Sequence, residues 1–220
     1  MFEYSFYWSV VWDKFPELLE GAKATVALTI MSMVIGTVLA LVLTVLRRQE
    51  KGVGYRLATV WVEVARNTPA LFQIYMVYFG LGALGIQFSS YAAMLAALAF
   101  NNAGYLAETF RGGLKSIPAQ QYSAARSLGI SPLKTYTHVI FPQLFQLVFL
   151  PYVNQLNWAL LNSSLGMIIG LRELTGATQA AQSESFRTFE FFIVAAGMYY
   201  VMAKAIEFSA RLTFWKLVRR

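Results

Sequence analysis

The sequence has no cysteine, a single histidine (His138) and few charged residues, which make up only 13% of its 220 residues. The absence of cysteine excludes a disulfide framework and thiol chemistry, and one histidine cannot form a histidine cluster around a metal. The chain also lacks an HExxH pattern, a GxSxG pattern and any Gly-Lys pair, so it predicts no zinc protease, serine hydrolase or P-loop. We therefore expect no catalytic residue, no metal site and no cofactor bound by this chain.

Hydrophobic residues make up 57% of the sequence, which is too large a share for a soluble domain of this length. The length fits one domain. The net charge of +7 does not indicate nucleic acid binding, because the basic residues lie at the ends of apolar runs rather than on a soluble face. These features predict an all-α membrane protein that contacts membrane lipid and no nucleic acid.

Uncharged runs predict about five transmembrane helices, since a helix needs about 20 apolar residues to cross the hydrocarbon core. The uncharged stretch 67–107 is too long for one crossing, and Gly80–Gly85 supplies a turn within it. The run 139–171 contains Pro142 and Pro151, so we expect part of it to be kinked or re-entrant. The predicted spans are about 24–46, 57–81, 91–111, a fourth that begins near 151, and 189–211.

Basic residues alternate between the loops, with twelve Lys and Arg in three alternate segments and four in the other three. The positive-inside rule then predicts an external N-terminus and a cytoplasmic C-terminus. The predicted parts are an extracytoplasmic N-terminal segment, 1–23, a transmembrane domain, 24–212, and a basic cytoplasmic tail, 213–220. The first part fits either an interfacial helix or a partly ordered tail with an aromatic belt. With Glu3 early and no basic n-region, we expect no cleaved signal peptide.

The segment between the third and fourth spans, about 116–138, has the pattern of a polar helix–turn–helix elbow. Ile117-Pro118 interrupts the preceding helix, and residues 119–128 favour a new one that Gly129 can cap. Ser131 and Pro132 then fit the N-cap and first position of a second helix. Ala124-Ala125 and Leu128-Gly129, followed by Phe141-Pro142-Gln143, resemble the EAA coupling loop of permease subunits of ABC importers for polar amino acids.

The resemblance to this family of type I, binding-protein-dependent permeases extends to three further segments and covers roughly residues 20–212. Residues 63–73 look like the family's FRGTPLLVQ element, and residues 101–111 look like NTAAYxAExxR. Residues 161–165 with Glu173-Leu174 look like KDTSL…EL. The resemblance implies a multi-pass protein of the bacterial cytoplasmic (inner) membrane that takes part in amino-acid transport.

The resemblance also implies the partners: a second permease subunit, identical or homologous, two ABC ATPase subunits that bind ATP and Mg, and an extracytoplasmic amino-acid-binding protein. The elbow, at about 120–132, would couple the permease to the ATPase. The residues implied in this coupling are Gln121, Ser123, Ala124, Ala125, Arg126, Leu128, Gly129 and Ser131. The chain departs from the pattern at Ser123, where the family usually has glutamate, and at Gln120, where it usually has glycine.

Polar residues within the apolar runs are candidates for a substrate path, because such groups are costly in a membrane unless they are paired or face water. An ion pair of Arg66 with Glu63 or Glu108, and hydrogen bonds between helices, are the structural alternatives. We interpret Lys204 and Glu207 as a structural pair. The candidate path residues are Arg66, Gln73, Asn101, Tyr105, Glu108, Asn162, Ser163 and Ser164.

Asn162 stands where relatives often have an acidic residue, so we expect neutral or acidic rather than basic amino acids as substrates. Two other functions remain open from the residues. An ATP-independent secondary carrier or small channel would explain Arg66 and Glu108 but not the elbow, and no internal repeat of the kind common in carriers is visible. An intramembrane enzyme or assembly subunit would need catalytic machinery that the sequence does not display.

Overall fold

The computed structural model describes residues 4–48 and 50–218, the last two of them by their backbone alone. Glu3, Gln49 and the tail residues Arg219 and Arg220 lie outside the described residues. Throughout the described part the regular structure is helical, as predicted. The helices are α1 Ser9–Arg47, α2 Val53–Asn67, α3 Ala70–Ala83, α4 Ser90–Ser116, α5 Ala119–Ser127, α6 Pro132–Ile169, α7 Leu174–Ser185 and α8 Thr188–Val218.

Among the described residues, three helices are long and apolar enough to cross a membrane: α1, α6 and α8. Helix α1 has 39 residues and runs without interruption through the boundary expected near residue 23. Residues 9–23 therefore do not form a helix separate from the first predicted span. The aromatic residues from Tyr4 to Trp8 precede α1.

The second predicted span is not one helix, because α2 ends at Asn67 and α3 begins at Ala70. Thr68 is extended (φ −117°, ψ 141°), which is the conformation that a following proline favours, and Pro69 cannot donate a backbone hydrogen bond. The third span corresponds to α4, where the Ser89 hydroxyl caps the helix by accepting from the Ala92 amide.

The prolines expected to divide the fourth span do not interrupt α6. The helix widens to a π-type turn over Tyr136–Ile140, directly before Pro142, and remains α-helical through Pro151. No break therefore marks a start of this span at Pro151. Helix α7 lies in what was expected to be a loop, and the Glu173 carboxylate caps it by accepting from the amides of Thr175 and Gly176.

Helix α1 takes part in all three hydrophobic clusters of the core. It packs with α2, α4 and α6 around Met33, with α7 and α8 around Leu18, and with α3 and α4 around Leu28. Close approaches to α4 depend on glycine: a Cβ on Gly36 would lie 2.6 Å from that of Asn102, and one on Gly104 would lie 2.4 Å from that of Ala65. Helix α4 is thus held tightly between α1 and α2.

Candidate functional site

The first candidate site is a cluster of three arginines around Glu108 of α4. Arg47 Nη1 donates to Glu108 Oε2 at 2.8 Å, and the Arg111 guanidinium holds both carboxylate oxygens. Arg66, at the end of α2, is more distant, with Nη1 3.9 Å from Oε2. The predicted Arg66–Glu108 pair is present, but it is the weakest of three. Glu63, the alternative partner, accepts instead from the Asn67 amide.

The cluster leaves Arg66 accessible. Its side chain is 40% exposed, whereas those of Arg47 and Glu108 are 10% and 22% exposed. The guanidinium carbon lies 5.8 Å from the centre of the Tyr105 ring, which also stacks on Trp158 of α6, with the ring centres 6.2 Å apart. Three cations facing one carboxylate leave a positive excess, and its most accessible part lies at Arg66 beside the Tyr105 ring.

Two other predicted path residues, Gln73 and Asn101, are buried and lie together beside the break between α2 and α3. Gln73 Nε2 donates to the carbonyls of Ala65 (3.0 Å) and Thr68 (3.1 Å). Asn101 Nδ2 donates to Gln73 Oε1 (3.0 Å) and also to the Ala65 carbonyl (3.2 Å). These contacts satisfy carbonyls that the interrupted helix leaves without partners, which is the helix–helix hydrogen bonding considered as the structural alternative.

The remaining predicted path residues lie at the end of α6 and hydrogen-bond within it. Asn162 donates to the Trp158 carbonyl (3.0 Å), Ser163 to Leu160 (2.7 Å) and Ser164 to Leu161 (2.7 Å). Ser163 is fully buried, whereas Ser164 borders an open groove between α6 and α8. The structure therefore brings Arg66, Tyr105 and Glu108 together and places Gln73 with Asn101. It leaves Asn162, Ser163 and Ser164 apart from both groups.

The second candidate site is the elbow formed by α5 and the start of α6. Gly129 has φ +77°, its amide donates to Arg126 (3.0 Å), and the Ile130 amide donates to Ala125 (3.2 Å), which together close α5 in a Schellman motif. Ser131 caps α6 by accepting from the Lys134 amide, and Pro132 occupies its first turn. The caps expected at Gly129 and Ser131 are confirmed.

Most of the predicted coupling residues are exposed on this elbow. Leu128 is 81% exposed at its tip, and Leu133, which the sequence did not single out, is 74% exposed. Two residues face the body of the protein instead: Ala125 is buried, and Gln121 Oε1 accepts from Gln143 Nε2 at 2.6 Å. The exposed members of the predicted set are Ser123, Ala124, Arg126, Leu128, Gly129 and Ser131.

The elbow is tied to the membrane helices by Tyr136. Its ring packs against Tyr122 of α5 at 5.5 Å, and its hydroxyl accepts from Arg48 Nη2 at 2.9 Å. Arg48 directly follows α1, so a contact chain connects α5 through Tyr136 to the longest helix. The sequence shows Arg48 only as part of a basic loop, because nothing local predicts that it meets a tyrosine 88 positions later.

The comparison with protein families matches residues 32–213 to the model described as the binding-protein-dependent transport system inner membrane component. The chain belongs to this family: it is a permease subunit of the inner membrane. It is 32% identical over 216 residues to the octopine transport system permease protein OccM of Rhizobium radiobacter, with 94% of this chain and 88% of that protein covered.

Two further matches agree. The chain is 29% identical to the glutamine transport system permease protein GlnP of Escherichia coli (strain K12), over 94% of this chain and 95% of that protein. A crystal structure of an amino acid ABC transporter with histidines superposes with a TM-score of 0.86 at 28% identity, over 96% of this chain and 98% of that one. Both are described as transport proteins for amino acids.

Proposed function

We propose that this chain is the permease subunit of an ATP-driven importer for amino acids. It would form the translocation path with a second permease subunit and couple to a separate ATPase through the elbow, so that the pair docks two ATPase subunits that bind ATP and Mg and receives substrate from an extracytoplasmic binding protein. The observation that carries the proposal is the exposed elbow, because a capped polar helix with an apolar tip on the surface suits docking to another protein. Catalysis of ATP hydrolysis then belongs to the partner chain.

The proposed topology has five spans, with the N-terminus outside and the elbow and C-terminus in the cytoplasm. The distribution of Lys and Arg supports it, since the segments that would be cytoplasmic hold most of them. Helices α1, α4, α6 and α8 and the broken pair α2–α3 would supply the five crossings. We retain the parts 1–23, 24–212 and 213–220 as proposed extracytoplasmic, transmembrane and cytoplasmic parts, although α1 crosses the first boundary.

For the substrate, we propose that Arg66 receives the α-carboxylate of an amino acid. Glu108 already has Arg47 and Arg111 as close partners, so its hold on the Arg66 guanidinium at 3.9 Å is weak. A carboxylate can form charge-assisted hydrogen bonds with an arginine that is this accessible. The uncharged amide of Asn162 favours neutral or acidic side chains over basic ones. We propose that the other candidate residues line the substrate path or support the residues that line it: Gln73, Asn101, Tyr105, Glu108, Ser163 and Ser164.

The docking proposal is tested with Leu128→Asp in a strain that carries the cognate ATPase. Leu128 is preferable to Gly129, because Gly129 holds a left-handed conformation and its replacement adds backbone strain. We expect Leu128→Asp to remain in the membrane but to lose the co-purifying P-loop ATPase and ATP-dependent uptake, because a charge then replaces the apolar tip.

The matched control is Leu84→Asp, because Leu84 is 77% exposed, nearly as much as Leu128, but lies in the turn between α3 and α4. This variant should keep both the ATPase and uptake. Normal uptake by Leu128→Asp would refute docking through the elbow. Uptake that continues after deletion of the ATPase would support the secondary carrier instead.

A further inference from the structure

The carboxylate of Glu108 has one oxygen, Oε2, that faces three arginines. Arg47 Nη1 and Arg111 Nε donate to it at 2.8 and 3.0 Å, whereas Arg66 Nη1 lies 3.9 Å away, beyond hydrogen-bond distance. A carboxylate oxygen has two lone pairs, so the two donors occupy both acceptor positions of Oε2. Arg66 is therefore close to Glu108 without a place on the oxygen that it faces.

Arg47 and Arg111 do not hold this oxygen equally well. Arg111 lies three residues after Glu108 on α4, and its guanidinium contacts both carboxylate oxygens. Arg47 reaches across from α1 and makes one hydrogen bond to Glu108, and its Nε is buried with no hydrogen-bond partner in the described part of the chain. A buried donor without a partner costs free energy. Of the two donors to Oε2, Arg47 is thus the one that leaves at the lower cost.

Arg66 is placed to take the vacated position without movement of the backbone. The end of α2 is fixed against α4, because the Tyr105 hydroxyl donates to the Arg66 carbonyl at 3.4 Å and Ala65 packs directly on Gly104. The Arg66 side chain is the most accessible of the three arginines. A long side chain with this freedom needs only a change of rotamer to bring its guanidinium within hydrogen-bond distance of Glu108.

We propose that Glu108 competes with the substrate carboxylate for Arg66 and that Arg47 is the positioning residue that decides between them. While Arg47 occupies Oε2, Arg66 is open to the carboxylate of a substrate. When Arg47 withdraws, Arg66 turns to Glu108, whose effective concentration is high because it is part of the same chain, and the substrate loses its partner. This inference rests on the carboxylate site proposed at Arg66 and adds the internal carboxylate that closes it.

The exchange is tested by thermal unfolding of the whole permease in detergent, because this measurement needs no substrate. In the wild type, Arg66→Ala should change the unfolding temperature little. In an Arg47→Met background, Arg66 should pair with Glu108, and Arg66→Ala should then lower the unfolding temperature by about 2–4 °C. Such a dependence of one substitution on the other is expected only for side chains that share a partner.

Two variants control this comparison. Arg47→Lys keeps a cation that can donate to Oε2, so Arg66→Ala should again have little effect in this background. Arg56 is an exposed arginine of the same helix as Arg66, and Arg56→Ala should therefore give the same shift in every background. An equal effect of Arg66→Ala in the wild type and in Arg47→Met would overturn the exchange.

The competition with substrate is tested by uptake of radiolabelled L-glutamine, a neutral amino acid, by the complete transporter with its ATPase and binding protein. Arg47→Met should lower uptake per assembled transporter about tenfold, because Glu108 then occupies Arg66. Addition of Glu108→Gln should recover part of the uptake, because an amide carries no charge with which to compete. Wild-type uptake by Arg47→Met, or no recovery in the double variant, would overturn the competition. Absence of uptake in the wild type would contradict the proposed function instead, and the unfolding comparison then decides separately whether Glu108 takes Arg66.

Discussion

Helix α1 and helix α8 are both long and apolar, yet their exposed sides differ in kind. From Val26 to Val45, the large exposed side chains of α1 are all aliphatic or methionine, and the opposite side of the helix packs into every cluster of the core. The exposed side of α8 includes a lysine and a glutamate beside Tyr200. A purely apolar surface suits lipid, whereas charged side chains within a membrane span normally face protein or water.

The difference separates a tightly packed part of the chain from a more open one. The region formed by α1, α2 and α4 supplies most of one core cluster and has glycine-mediated contacts between its helices. Within this region Asn102 donates to Ser32 (3.3 Å), and Gln155 of α6 donates to Asn102 from outside it (2.9 Å). The region formed by α6 and α8 contributes few buried side chains and keeps polar groups on its surface. We infer that the first region contributes most of the stability of the chain and that the second presents surface to a partner, whereas the substrate site proposed at Arg66 lies at the edge of the first region.

The largest effect is expected at the Glu108 cluster. Glu108→Gln leaves the buried Arg47 and its two neighbours without a carboxylate, and removal of one partner of a buried pair costs about 3–5 kcal/mol. Because Glu108 is 22% exposed, we expect the lower end of this range. The measurement is thermal unfolding in detergent, followed by size-exclusion chromatography.

Arg66→Ala is the control for that experiment, because it removes only the weakest of the three partners. It should leave the unfolding temperature close to that of the wild type while it lowers uptake. Equal destabilisation by both variants would mean that Arg66 is as structural as Arg47, and the proposed division between the two regions would then be wrong at this position.

A smaller effect is expected from the glycines of α4. Gly104→Ala places a Cβ 2.4 Å from that of Ala65, so α2 and α4 must separate, at a cost of about 1–3 kcal/mol. Gly112→Ala, eight residues later on the same helix, meets no atom within 4 Å. It should be neutral or stabilising, since alanine favours helix by about 0.5–1 kcal/mol over glycine. Similar unfolding temperatures for the two variants would show that α2 and α4 are not in close contact.

The sequence predicted what depends on local chemistry. The cap of α5 follows from the left-handed preference of Gly129, the start of α6 follows from Ser131-Pro132, and α4 follows from a long uncharged run that begins after a serine. The basic loops and the family motifs led to the permease assignment, which the comparisons support. These signals need only neighbouring residues or a known pattern.

The sequence did not predict what depends on distant partners. Gln73 and Asn101 hydrogen-bond around the break at Thr68, and Asn101 comes from another helix. From the sequence alone, these two residues therefore could not be recognised as supports of the break rather than as members of a substrate path. The passage of α6 through Pro142 depends on a wide turn that hydrophobic periodicity does not show. Arg47 was counted as a loop charge, although it is the best-buried arginine around Glu108. Only Arg111, three residues after Glu108, could have been found from helical spacing.

The smallest effect is expected where α1 meets α7 at the surface. Lys14 of α1 lies 2.7 Å from Glu184 of α7, but the side chains are 31% and 62% exposed, and exposed pairs contribute little to stability. The hydrogen bond and charge of Lys14 lower the pKa of the Glu184 carboxyl. The stabilisation by Glu184 is therefore present above the ordinary carboxyl pKa and is lost only as the pH falls through the lowered value.

Lys14→Ala should therefore change the unfolding temperature only slightly at neutral pH, and the difference from wild type should vanish in acid. Thr25→Val is the contrasting variant, since Thr25 is fully buried, accepts from the Leu174 amide (3.1 Å) and donates to the buried Glu173 carboxylate (3.3 Å). It should destabilise more than Lys14→Ala at every pH, because the buried Leu174 amide loses its partner and the Glu173 carboxylate loses one of its donors. The reverse order would mean that exposed charges, rather than the buried contact at Thr25, hold α1 against α7.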